Sequence, residues 1–284
     1  MLPGKGLAKT KQLDNNYRIH AKSGAMARQT FPNLHRRPPS PEDPVTVNLR
    51  QGAADMEIPW HSHPWGQFAY PVAGTIRLST EDTAWIVPPY RAIWIPAGVV
   101  HHLVTLGEVE LRTLYVDGAK SPLPEKTCKV VAVSHLLGAL SEALVTTPPP
   151  EEPRRTMIQT LLLEELRQAQ PLALGLPMPR DRRLKALCDA LLENPATERP
   201  LADWAAQVGA SPRTLNRLFQ SELGMSFGLW RQQLRLSRAA TLVAQNLPLA
   251  QIANELGYAS PSAFTAMFKR AFGVPPSQFF RSQP

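Results

Sequence analysis

The sequence predicts a chain in two parts, a β-sandwich or small barrel in the first half and an all-helical unit with two helix-turn-helix motifs in the last third. Between Val45 and Val116, short runs rich in Val, Ile, Tyr, Trp and Thr are separated by Pro and Gly, a pattern of antiparallel strands. Beyond Pro200 the apolar period becomes helical, and a helix, a glycine, a Ser-Pro pair and a second helix occur twice in register, which chance rarely produces. Charge divides the same way, with a net +7 over residues 1–37, −5 over 42–118, 0 over 119–179 and +6 over 180–284. The basic last segment suits a polyanion; the acidic middle does not.

Taken in order, residues 1–41 are basic, poor in apolar side chains and end near RRPPSP, so a disordered arm is expected there. Met26 offers an alternative start within it. No stretch has the apolar length of a membrane span or the apolar centre of a signal peptide. A cytoplasmic protein with no membrane partner is therefore expected. The two cysteines, Cys128 and Cys188, have no metal-type spacing and read as buried thiols of a reducing compartment.

Residues 42–118 hold the strand-like runs VTVNL, QFAYPVAGTIRLST, TAWIVPP, AIWIPAG and LRTLYVD, enough for about eight strands. Four of the seven histidines fall here, as His61, His63, His101 and His102. Side chains two apart on a strand share a face, so His61 and His63 are expected to point inward together, with His101 completing three imidazoles from a facing strand. His102 would then point outward. Trp60, Trp65, Trp85 and Trp94 read as packing residues, with Trp65 close enough to the histidines to line a cup.

The spacing of Gly52, His61, His63, Gln67 and Gly74, followed by Pro96, Gly98 and His101, resembles the two motifs of the cupin fold. The departures are Gln67 in place of glutamate, and Tyr90 and Thr105 in place of the second motif's flanking glycine and asparagine. The resemblance implies a cupin-type β-barrel with flanking helices. It further implies either a site on His61, His63, Gln67 and His101 for a divalent transition metal (zinc, nickel, cobalt or iron) or a metal-free cup for a small-molecule effector. Three imidazoles and an amide leave a divalent charge uncompensated, which favours an anionic further ligand.

Residues 119–170 turn helical, with Leu136, Leu137, Leu140 and Leu144, then Ile158, Leu161, Leu162 and Leu166, at helical spacing around TTPPPEEP. Such a pair can cap the barrel or meet its copy in a second subunit; Ile158, Leu162 and Leu166 are the candidate dimerisation residues. The proline-rich stretch 171–180 reads as a linker.

Residues 181–284 open with a helix expected over 181–193. The first motif, about 201–224, buries Leu215, Leu218, Phe219 and Leu223 on one face of its second helix. The other face offers Arg213, Thr214, Asn216, Arg217 and Gln220 to phosphates and base edges. The second motif, about 249–273, leaves Ser262, Thr265, Lys269 and Arg270 as its polar equipment. FGLWRQQLRLSRAATLVAQ between them is expected as one connecting helix.

Ile252-Ala253, Gly257-Tyr258, Ser260, Phe264, Phe268, Lys269, Gly273, Pro276 and Ser277 closely resemble the late signature of the AraC/XylS family of transcription regulators. The resemblance implies double-stranded DNA as partner, two successive major grooves entered by one protomer, a homodimer, a small-molecule effector, and RNA polymerase as a partner for an activator. The alternative is a metal-dependent, dioxygenase-like cupin enzyme with an appended DNA-binding domain. It is disfavoured because Gln67 replaces the carboxylate and the spacing places no second acid or base near the histidines; no catalytic residue is assigned. A small-ligand storage or metal-buffering protein would leave the basic recognition helix without a purpose.

Overall fold

The computed structural model describes residues 29–31, 37–89, 91–123, 126–146, 149–172, 174–195, 197–245, 247–272 and 275–279. Most of the expected arm, Tyr90 and Gly273 lie outside them. The strands are β1 (Gln29–Thr30), β2 (Val45–Gly52), β3 (Met56–His61), β4 (Gly66–Ala73), β5 (Ile76–Ser79), β6 (Thr83–Val87), β7 (Arg91–Ile95), β8 (His101–Thr105), β9 (Val109–Val116), β10 (Lys129–Ala132), β11 (Pro171–Leu172) and β12 (Gly175–Pro177). The helices are α1 (His135–Ala143), α2 (Arg154–Gln168), α3 (Arg182–Glu193), α4 (Leu201–Gln207), α5 (Pro212–Leu223), α6 (Phe227–Ala244), α7 (Leu249–Glu255), α8 (Pro261–Phe272) and α9 (Pro276–Phe279).

The strands form two sheets, β1-β3-β8-β5-β6-β12 and β11-β10-β7-β4-β9-β2. The expected barrel is thus a jelly-roll-like pair of facing sheets rather than one closed cylinder. Alternation along each strand sorts the core. Ile76, Leu78, Trp85, Val87, Ala69, Ile93, Ile95 and Leu111 fill the space between the sheets. The next residues along the same strands face outward on either side. Phe68, Tyr70, Ala92, Trp94, Leu114 and Val116 meet α1 and α2, while Ala84 and Ile86 meet the C-terminal helices.

Several expectations need correcting. Residues 29–30 add a short parallel strand beside β3 and Phe31 is buried between the sheets, so this part of the arm is ordered by its aromatic side chain. Lys129–Ala132, expected as helix, pairs with β7 as a strand, in keeping with its β-branched Val130 and Val131. The stretch expected as a linker supplies β11 and β12, one to each sheet. It is bound along both edges rather than loose.

The candidate dimerisation residues also fall elsewhere. Ile158, Leu162 and Leu166 are buried against Phe68, Trp94 and Val116 of their own chain, because the outer face of that sheet is apolar and lies nearest in the sequence. The apolar side chains that α1 and α2 leave in solvent are Leu136, Met157 and Leu161. Arg155 fixes α2 further by pairing with Asp43, its Nη2 donating to both carboxylate oxygens at 2.8 and 3.0 Å. Leu162→Ala should lower unfolding stability by about 2–5 kcal/mol in a urea titration, as expected for a large-to-small change at a closed core site. An unchanged midpoint would place α2 off the sheet.

Candidate functional site

The histidines converge at one end of the space between the sheets. His61 ends β3 and is paired across the ladder with His101, the first residue of β8, after a bulge that begins at Ile58; their ring centroids are 4.2 Å apart. His63 is not on the strand. It lies in the β3–β4 turn, where its carbonyl accepts from Gly98 N–H at 2.8 Å, and this tie to the β7–β8 turn brings its ring to 5.1 Å from His101. Gly74, which closes the same motif, has φ +74° and no room for a Cβ, which would stand 2.0 Å from Glu108 O.

Each ring is oriented by a main-chain carbonyl. His61 Nδ1 lies 2.7 Å from Pro59 O, His63 Nδ1 2.7 Å from Trp65 O and His101 Nδ1 2.9 Å from Val99 O. A carbonyl can only accept, so Nδ1 carries the proton in every case and the lone pair falls on Nε2. One ligand atom from each ring can be chosen so that all lie within 4.8 Å of one another. Gln67, 3% exposed, places Oε1 2.7 Å from His63 Nε2. Two lone pairs at that distance are reconciled only by a positive partner: a ring proton, the amide N–H after a flip, or a cation that both ligate. His102 points the other way, as expected, to Glu57 Oε2 at 3.0 Å. Trp60, expected in the packing, is 40% exposed and stacks on His102. Trp65 does line the histidines, stacked on His63 with centroids 5.5 Å apart.

The two reading helices are built alike. Ser211 caps α5 by accepting from Thr214 N–H at 3.1 Å, Pro212 occupies the first turn, and Gly224 ends the helix with φ +66°. Ser260 accepts from Ala263 N–H at 3.1 Å to start α8. Leu215, Phe219 and Leu223 of α5, and Phe264, Met267 and Phe268 of α8, are buried. Arg213, Asn216, Arg217, Gln220, Ser262, Lys269 and Arg270 are exposed, and Thr265 is half-buried. Thr214 is half-buried too, its hydroxyl 2.9 Å from Ser211 Oγ and so engaged in the cap. The connecting helix uses its arginines internally, Arg235 with Glu198 and Arg238 with Glu255.

The reader is seated on the sheets. Ala84, Ile86, Leu176 and Met178 share one core with α3, α5 and α6, Trp230 Nε1–H donates to Pro177 O at 2.8 Å, and Arg77 pairs with Glu193 at 2.6 Å. The second motif is reached through Arg91, which donates to Phe279 O at 3.0 Å with its guanidinium 4.2 Å from that ring's centre. Burial pushes the Arg91 guanidinium down to about 10, so it is still a cation at neutral pH. The sequence marks neither Arg91 nor Arg77, beyond their being charged residues within apolar runs. Cys128 and Cys188 are buried as expected, and burial pushes the Cys128 thiol up to about 12.

A cupin-like sheet pair joined to two helix-turn-helix units defines a DNA-binding transcription regulator with a second domain fused to its reader. The comparisons agree: a cupin domain family matches residues 48–117 and a helix-turn-helix domain family residues 204–282. The HTH-type transcriptional regulator NimR of Escherichia coli K12 is 31% identical over 240 residues, covering 84% of this chain and 88% of the relative. RipA of Corynebacterium glutamicum is 37% identical over 107 residues, 38% of this chain and 32% of its own. The arabinose operon regulatory protein of E. coli K12 is 31% identical over 122 residues, 42% of each chain. The chain belongs to the AraC family of HTH-type transcriptional regulators.

Proposed function

We propose that this regulator is a cytoplasmic homodimer whose cupin domain senses a small molecule through a divalent transition metal held by His61, His63 and His101, with Gln67 beside it. The single observation behind this reading is that three imidazoles, each turned by a main-chain carbonyl at Nδ1, bring one ligand atom apiece within 4.8 Å of one another. Imidazole nitrogen suits zinc, nickel, cobalt and iron alike, and a three-histidine set leaves positions for a further ligand. The role is regulatory, in keeping with the relatives' names. Metal or effector must bind better in one arrangement of the reader than in another to change the DNA-bound state. No helix of the described residues is long and apolar enough to cross a membrane.

In this reading α5 and α8 enter successive major grooves of double-stranded DNA, with Arg213, Asn216, Arg217 and Gln220 at bases and phosphates, and Ser262, Thr265, Lys269 and Arg270 mainly at phosphates. Among the described residues no carboxylate pairs with Arg213, Arg217, Lys269 or Arg270. Those cations are available to a polyanion, and RNA polymerase is a further partner where the outcome is activation. The second protomer docks on the outer side of α1 and α2, over Leu136, Met157 and Leu161, in place of the inward side chains.

Arg217→Ala should cost about 1–3 kcal/mol at a specific site and relax preference at one base position, whereas Arg270→Ala should weaken binding evenly and reduce the salt slope by about 1. Unchanged affinity and preference in a binding titration of Arg217→Ala would remove that face from the groove. Protein purified without an affinity tag should contain close to one equivalent of divalent metal per chain by elemental analysis, and the His61→Ala, His63→Ala double variant essentially none. A wild type that stays metal-free after saturation and dialysis sinks the metal reading. Leu161→Lys should sediment as a monomer while keeping the wild-type unfolding midpoint; a dimer of unchanged mass would move the interface elsewhere.

A further inference from the structure

Beside the histidines, the inner face of β2 and β9 carries a row of polar groups. Asn48 is paired across the ladder with Thr113, and Thr46 with Tyr115, so these side chains share the face on which Tyr115 also opposes Gln67. Arg50, two residues beyond Asn48 on that face, bends back along the strand until Nη2 donates to Tyr115 Oη at 3.1 Å. The Tyr115 ring in turn lies 6.2 Å from the His63 ring and 5.7 Å from Trp65. A guanidinium thus sits one tyrosine away from the three-histidine cluster.

This region carries donors that no protein group among the described residues meets. Asn48 Nδ2, Thr113 Oγ1 and Trp65 Nε1 are buried and have no hydrogen-bond partner among the described residues, Thr113 being 0% exposed. Indole and guanidinium nitrogens only donate, and with its oxygen already accepting from Arg50 the Tyr115 hydroxyl has its hydrogen to give. No carboxylate among the described residues pairs with Arg50. Buried donors left without partners carry the desolvation cost of each group. A guanidinium that meets no carboxylate favours an anionic ligand over a neutral sugar.

We propose that the sensor's effector is a small carboxylate with a second oxygen donor a few carbon atoms away, such as a dicarboxylate or an oxo-acid. Its acid group is held by Arg50 and the Tyr115 hydroxyl, with the Asn48, Thr113 and Trp65 donors around it, and its second donor reaches the histidine end. The assignment rests on reading the space between the sheets as the effector site. It follows from charge as well as from hydrogen bonding: Arg50 adds to the uncompensated charge of any metal on three neutral imidazoles, and a compact anion neutralises both.

Isothermal titration of the full chain, metal-free and loaded with nickel, against malonate, succinate and 2-oxoglutarate tests this, with malonamide and a neutral pentose as controls. At least one carboxylate should bind and neither control should. Arg50→Gln should weaken that binding about tenfold or more, as loss of a charge-assisted hydrogen bond to a buried anion requires. Tyr115→Phe should weaken it less, and both variants should keep wild-type unfolding midpoints and metal content. Carboxylate binding that depends on Arg50 in a protein that takes up no metal leaves this proposal standing and removes the metal. Metal uptake with no carboxylate binding in either form, binding of the neutral pentose instead, or carboxylate affinity indifferent to Arg50→Gln overturns it.

Discussion

Strand β6 is buried on both faces, and most of the architecture follows from that constraint. Its inward residues, Trp85 and Val87, complete the core between the sheets. Its outward residues, Ala84 and Ile86, are covered by the reader's first helical unit together with Leu176 and Met178. A sheet apolar on both sides must be covered on both sides, so removing the reader would expose an apolar face beside the edge strand β12. The proline-rich stretch has a physical role in this cover, since it lays β12 against β6 and leads directly into α3. Cupin domain and reader share a core, and the connection between them is a strand.

This is where the sequence was most and least legible. TAWIV reads as a run apolar on both faces, so a doubly covered strand could be inferred from it; nothing in the run says which element covers the outer side. The same limit explains α2. The stripe of Ile158, Leu162 and Leu166 identifies a buried helix face, but amphipathicity is the same whether the partner is the chain's own sheet or another copy. Helices α3 to α8 were readable nearly to the residue because their ends are written in local chemistry, Asp181, Ser211, Ser226 and Ser260 as caps and Gly224 in the left-handed region. The short β11 and β12 have no such marks.

The three histidines lie together, though not by the geometry that their spacing suggests. Strand alternation was expected to aim His61 and His63 together, yet β3 ends at His61 and His63 is aimed by its turn and by Gly98. Spacing in sequence therefore records the cluster without recording what builds it. The proton positions depend on main-chain carbonyls at Pro59, Trp65 and Val99, which no side-chain pattern reveals. Arg50 and Tyr115 were missed for a similar reason: they are 65 residues apart, and only the β2–β9 register brings them together.

The placement of site and reader bears on how one can influence the other. His61 and His101 lie on β3 and β8, and β8 is followed in the same sheet by β5, β6 and β12. The cluster thus lies at the inner side of the sheet whose outer side seats the first reading unit, with one strand, β5, between β8 and β6. The second unit is held separately, through Arg91 and Phe279, and Phe279 packs edge-on against Phe268 of α8, centroids 5.0 Å apart. Both recognition helices are therefore positioned by contacts to the cupin domain as well as by α6. DNA that needs a different spacing of α5 and α8 has to work against those contacts, and a ligand in the cup alters DNA affinity only to the extent that it strengthens or weakens them. Coupling of this kind requires no flexible hinge, because close-packed cores shift between discrete arrangements rather than deforming smoothly.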